Sequence, residues 1–174
     1  QAKAAKKAGR IAADGVVVIK VAPDGKSAVM VEVNSETDFV AKDTNFKEFA
    51  DAVGEAALAA IVEDVDAMSS LPIRAGDTMT IAEAREALIA KIGENIQVRR
   101  LIRFDNAQGH LYSYRHGVRI GVLVEMEGGD AELGKDVAMH VAASNPICVD
   151  ADQVPAEVLE KEKEIFRAQA LESG

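Results

Sequence analysis

The chain has 174 residues, enough for one ordinary domain or two small ones with a real core. At 48% apolar and 28% charged residues it is neither disordered nor fibrous, and with 4% aromatics and no Trp, aliphatic side chains must do most of the packing. A formal net charge of −9 argues against direct nucleic-acid binding or attachment to an anionic membrane surface. Lys3, Lys6, Lys7 and Arg10 form a local exception, read as the solvated face of a helix. No apolar run approaches the ~20 residues that span a bilayer, and no signal peptide is present. A single cysteine, Cys148, cannot make an internal disulfide, which fits a reducing compartment and a cytoplasmic location. The chain opens with Gln and ends Glu-Ser-Gly directly after helix-like sequence, the look of a piece of a longer protein.

Residues 1–13 are rich in Ala and Lys and predict a helix stopped near Asp14-Gly15. VVVIKVA (16–22) and SAVMVEV (27–33) flank Pro23-Asp24-Gly25-Lys26, a turn sequence, and predict a β-hairpin. The polar connector NSETDFVAK (34–42) follows, and then a helix from about Phe46 to Val62, with Asn45 and Glu48 in capping-box spacing. Residues 63–79, with Ser69, Ser70, Pro72 and Gly76, read as a loop. Thr80 and Glu83 form a second capping box opening a helix that Gly93 can end. Strands are predicted at 95–104, 110–115 and 118–126, and a helix at about 131–143. From Pro155 a narrow stripe of Val158, Leu159, Ile165, Phe166 and Ala170 marks a highly charged helix, suited to a hairpin or coiled-coil partner.

The two halves share a plan. Val29–Val33 matches Val122–Met126 at an offset of 93, and Lys47–Val53 matches Lys135–Val141 at an offset of 88. The expected fold class is α+β, with two pseudo-repeated subdomains, each a small antiparallel sheet covered by helices, plus a protruding C-terminal helix. The expected divisions are 1–62, a connecting loop at 63–79, 80–154, and 155–174 as the first arm of a helical hairpin. The change of offset leaves the first strand-to-helix connector five residues longer than the second. The surplus holds Thr37-Asp38-Phe39.

Chemistry is sparse. There is no phosphate loop and no dinucleotide fingerprint. His110, His116 and His140 stand on three different segments without metal spacing, and His140, between Met139 and Val141 on an amphipathic helix, reads first as a partly buried histidine. Cys148 lacks a base and an oxyanion site, and no carboxylate pair marks an acid/base couple. No catalytic residue, metal site or cofactor is expected, and the chain does not read as an enzyme. Asp38-Phe39 leaves two readings open. Ser35 could cap a helix, with Asp38 in its first turn and Phe39 folded back on the core. Alternatively, Phe39 is an exposed anchor for another protein.

The stretch VMVEVNSETDFVAKDTNF (29–46) resembles the signature of the elongation factor Ts family, nucleotide exchange factors for the GTPase elongation factor Tu. AAKKAGRIAADG (4–15), KIGENIQVRR (91–100), YRHGVRIGVLV (114–124) and DVAMHVAAS (136–144) resemble the same family, in the same order. Ser35-Glu36 stands where members often carry Cys-Gln, and residues 63–79 look longer than usual. The family's N-terminal helical module, the second arm of its helical hairpin and its C-terminal segment are not represented. The resemblance implies two related sheet-plus-helix subdomains. It implies that Asp38 and Phe39, within Thr37-Asp38-Phe39-Val40, enter the GTPase near switch II and disturb its magnesium site. It further implies that Ile120, Gly121 and His140 touch another domain of that partner. The implied function is guanine nucleotide exchange during translation elongation, acting on the partner's GDP and Mg²⁺ and binding neither. An alternative of another class is a chaperone-like module that holds elongation factor Tu without promoting exchange. Self-association is left open.

Overall fold

The hairpin anticipated around Pro23-Asp24-Gly25-Lys26 forms the centre of the computed structural model, which describes residues 2–173. Strands β1 (Asp14–Val21) and β2 (Ala28–Ser35) pair antiparallel, with Val18 opposite Val31. Gly25 turns the chain at a φ of +69°, a conformation that favours glycine, and Asp24 Oδ1 accepts from the Lys26 amide at 2.9 Å. A third strand, β3 (Gln97–Phe104), adds to the far side of β2, giving the order β1-β2-β3. Strands β4 (His110–His116) and β5 (Ile120–Met126) form a separate two-stranded hairpin. The α+β expectation of two small antiparallel sheets with helices therefore stands. The strands are shared unevenly, because β3 from beyond residue 79 completes the first sheet.

Alternation along β1 and β2 gives the sheet two different faces. Val16, Val18, Val29, Val31 and Val33 are buried on one face. Helix α3 (Thr44–Ala59) packs there, burying Phe46, Phe49, Ala50, Val53 and Ala57. Each such apolar side chain removed from water is worth roughly 1.5–3 kcal/mol. On the opposite face, Val17, Ile19 and Met30 meet the β4–β5 hairpin at Gly121. A Cβ there would lie 2.7 Å from Val17 Cγ1 and 3.1 Å from Ile19 Cδ1, so only glycine permits this approach.

Several boundaries differ from the sequence reading, some through distant side chains and one through a different local cap. The N-terminal helix α1 covers only Ala2–Ala5, and Gln1 lies outside the described residues. Beyond α1, side chains claim the backbone carbonyls: Asn95 Nδ2 donates to Arg10 O at 2.7 Å and Asn34 Nδ2 to Ala12 O at 3.0 Å. Helix α3 is capped by Asp43, not by the Asn45–Glu48 pair; the Asp43 carboxylate accepts from the amides of Asn45 (2.8 Å) and Phe46 (3.2 Å). Its end carries no glycine. Arg103 of β3 supplies the missing donors, reaching Ala57 O at 2.6 Å and Ala60 O at 2.7 Å.

The stretch 63–79 is not all loop. It contains α4 (Val65–Ser69), capped by Asp64, and it buries Met68 and Ile73. Helix α5 (Ile81–Ile92) opens with the anticipated Thr80–Glu83 capping box and closes at Gly93, φ +91°. Helix α6 (Ala131–Ser144) follows β5 and buries Gly134 and Ala138. Residues up to Ala142 make one compact unit and those from Ala143 a second. The second holds a 3₁₀ turn at Ala151–Gln153 and α7 (Ala156–Ser173), of which no described residue is buried.

Candidate functional site: an exposed ring on a braced turn

The connector after β2 folds into a short helix, α2 (Asp38–Lys42). Thr37 caps it: its backbone is extended, its Oγ1 accepts from the Val40 amide at 3.4 Å, and its carbonyl accepts from the Ala41 amide at 3.3 Å. Ser35, the cap anticipated on one reading, is instead buried and donates its hydroxyl to Thr37 O at 2.9 Å. At 100° per residue, positions 38, 39 and 42 share one side of such a turn and 40 and 41 the other. Ala41 is 3% exposed within the core cluster, and Val40 packs against it. Phe39 is 80% exposed. The ring does not fold back on the core.

Exposure alone distinguishes little, since Ile11 and Ile61 are as open to solvent and single surface apolar residues are ordinary. What sets Phe39 apart is the bracing beneath it. Glu94, the residue after the glycine that ends α5, accepts from the amides of Glu36 and Thr37 through one carboxylate oxygen, each at 3.1 Å. Its other oxygen accepts from the Thr37 hydroxyl at 2.7 Å. Glu36 returns the contact: its carboxylate accepts from the Asn95 amide at 2.6 Å and lies 3.5 Å from Arg10. The Lys7 ammonium donates to the Gly93 carbonyl. Asp38 and Lys42 form an ion pair at 2.7 Å across the outer side of α2. The Lys42 hydrogen bond, reinforced by its charge, holds the Asp38 carboxyl below its ordinary pKa.

The other sequence-selected residues lie elsewhere. Ile120 begins β5 and is 44% exposed, while Gly121 is occupied by its contact with Val17, Ile19 and Met30. His140 lies on the exposed side of α6, not tucked against the core. Thr37 to Val40 thus form one cluster, on the α3 side of the sheet, whereas Ile120 and Gly121 sit across the sheet. Among the described residues no group of His, Cys, Asp and Glu could hold a metal ion, and no helix is long and apolar enough to cross a membrane. Sequence reasoning missed Glu36, Glu94 and Asn95. Their signal was Gly-Glu-Asn set between a helix end and the fully buried Ile96, where Asn95 is 1% exposed. A buried polar residue at such a junction has to bond to something.

Comparison with known proteins reaches the same stretch. The family model described as Elongation factor TS matches residues 36–174, most of the chain. The chain belongs to the elongation factor Ts family. The protein named elongation factor Ts from Thioalkalivibrio sulfidiphilus is 59% identical over 174 residues, covering 99% of this chain and 58% of the relative. That from Alcanivorax borkumensis is 60% identical over 169 residues, covering 97% and 58%. That from Legionella pneumophila strain Paris is 53% identical over 174 residues, covering 100% and 59%. The chain therefore spans somewhat over half the length of these elongation factor Ts relatives. The family match runs through Thr37, Phe39, Glu94, Ile120 and His140 alike.

Proposed function

We propose that the chain is a guanine nucleotide exchange factor for the GTPase elongation factor Tu, serving translation elongation in the cytoplasm. The observation that carries this is Phe39, 80% exposed on a short helix anchored in the core by Ala41 and tied down at its cap by Glu94. A ring held in water on a fixed mount is ready for a pocket on another protein. The chain binds neither GDP nor Mg²⁺. In such GTPases Mg²⁺ bridges nucleotide oxygens and a protein hydroxyl, so disturbing its site loosens the nucleotide. Asp38 and Phe39 act beside switch II, stabilising the partner conformation in which the metal site is displaced. Ile120, Gly121 and His140 supply a second contact on another domain of the partner.

Energetics set the scale. Burying the ring is worth roughly 1.5–3 kcal/mol, which is about tenfold or more in the partner's conformational equilibrium. Coupling is reciprocal, so arriving nucleotide weakens the complex by the factor through which the complex weakens nucleotide. The test is the release rate of labelled GDP from elongation factor Tu with the chain or its Phe39→Ala variant. Stimulation by the chain and its loss in the variant are expected. Unchanged stimulation by the variant would overturn the wedge. Complex formation with no change in GDP release by either protein would favour a holding module instead.

A further inference from the structure

We infer that Glu36 and Glu94 form a reciprocal clasp that positions Phe39 for nucleotide exchange, with Glu94 its main positioning residue. This rests on the exchange reading above. The two residues exchange contacts across 58 positions of sequence: Glu94 holds the backbone of residues 36 and 37, and Glu36 holds the backbone of residue 95. Both carboxylates accept from backbone amides, and Glu94 also engages the hydroxyl of the residue that caps α2. The cap and the clasp therefore meet in one side chain, Thr37. A helix of five residues cannot hold itself, because one turn fixes many dihedral angles for very few hydrogen bonds. The orientation of Phe39 thus depends on what grips the N-terminal end of α2. On the inward side that grip is Val40 and Ala41 in the core; at the cap it is Glu94.

Glu94 is itself rigidly delivered. Gly93 ends α5 in the left-handed conformation, its amide bonded to Ile89 O at 2.8 Å, and Asn95 is anchored to Arg10 O. No substrate atom need touch Glu94, so its part is positioning. An exposed anchor is useful only if its direction is fixed before the partner arrives, since ordering it on contact lowers affinity. The contacts also distinguish geometry from charge. Glutamine at position 94 can keep an oxygen toward the two amides and turn its NH₂ to the Thr37 hydroxyl oxygen, which can still accept from Val40. Alanine keeps none of these.

Two measurements decide it. The chain has no Trp, so Phe39→Trp installs a single indole whose fluorescence anisotropy reads local motion in the free protein. In that background Glu94→Ala is expected to lower the anisotropy and Glu94→Gln to leave it near the parent value. Equal anisotropy in all three would overturn the clasp, whatever the chain does to elongation factor Tu. The second measurement is GDP release from that GTPase. Glu94→Ala alone should slow stimulated release about tenfold, yet add nothing once Phe39→Ala is present. Additive losses would mean that Glu94 acts through something other than the ring, and the inference fails. If Phe39→Ala leaves release unchanged, the exchange reading fails while the anisotropy result still judges the clasp. Should Glu94→Ala not fold, Glu94→Ser, polar but too short to reach the two amides and the Thr37 hydroxyl, takes its place with the same expected pattern.

Discussion

The chain passes from a strand to a covering helix twice, and the two passages differ. From β2 to α3 it takes residues 36–43; from β5 to α6 it takes residues 127–130. The shorter passage is a plain turn: Gly128 and Gly129 both adopt a φ of +83°, and Asp130 accepts from the Leu133 amide at 2.9 Å. The longer one contains a capped helix, an exposed ring and a brace from a distant segment. Four residues suffice for the link, so the additional length is spent on presenting Phe39.

The helices beyond the two passages correspond more closely than sequence matching alone implied. At the offset of 88, Phe46 aligns with Gly134 and Ala50 with Ala138; all four are buried. Where the first helix sends a phenyl ring down to its sheet, the second offers a bare backbone, and Tyr112 of β4 fills the space from below. The same interlayer gap is filled from opposite sides. This leads to opposite failures at equivalent positions. Phe46→Ala empties a fully buried site and is expected to cost about 3–5 kcal/mol in urea unfolding. By contrast, Phe39→Ala should change stability by no more than about 0.5 kcal/mol. A large loss from Phe39→Ala would mean that the ring contributes to the fold after all, and the contrast between the passages would collapse.

Gly134→Ala tests the other side of the correspondence. An added Cβ would lie 2.3 Å from the Tyr112 ring, too close without a shift of strand or helix. Alanine favours a helix over glycine by about 1 kcal/mol, against an overpacking cost of about 1–3 kcal/mol. A net loss of about 1 kcal/mol in thermal unfolding is expected. If the variant is instead stabilised, propensity has won and Tyr112 is not wedged beneath α6.

Most of the architecture was readable from patterns that local chemistry decides. The Pro-Asp-Gly-Lys turn, the Thr80–Glu83 capping box, the Gly93 stop and the three later strands all rest on residues within a few positions of one another. Some of what escaped was a choice among nearby caps, as at Thr37, Asp43 and Asp64, but most of it rested on distant partners. Past the short N-terminal helix, Asn95 and Asn34 hold the carbonyls of Arg10 and Ala12, where the sequence reading continues the helix. Helix α3 ends without glycine because Arg103 arrives from β3. Pairing of β3 with β2 carries no local signature, so the uneven sharing of strands was invisible. At the candidate site the ring was legible as an oddity, whereas Glu94, 55 positions further along the chain, was not.

The smallest expected effect concerns the outer side of α2. Lys42 bonds to Asp38 and keeps its carboxyl ionised to lower pH than an ordinary aspartate, near 3.9. Because the folded-state pKa is depressed, the pair's contribution to stability is present above the ordinary value and lost as pH falls through the depressed one. The pair is exposed, so the unfolding free energy should scarcely register it and added salt should screen it. A carboxyl-carbon NMR titration is sensitive enough to follow it. Asp38 should titrate below its ordinary value, and Lys42→Met should return it there. A titration at the ordinary value in the unaltered protein would mean that the ion pair is not populated in solution. The longer passage would then owe its hold on α2 to the Thr37 cap and the Glu94 clasp, without help from the outer ion pair.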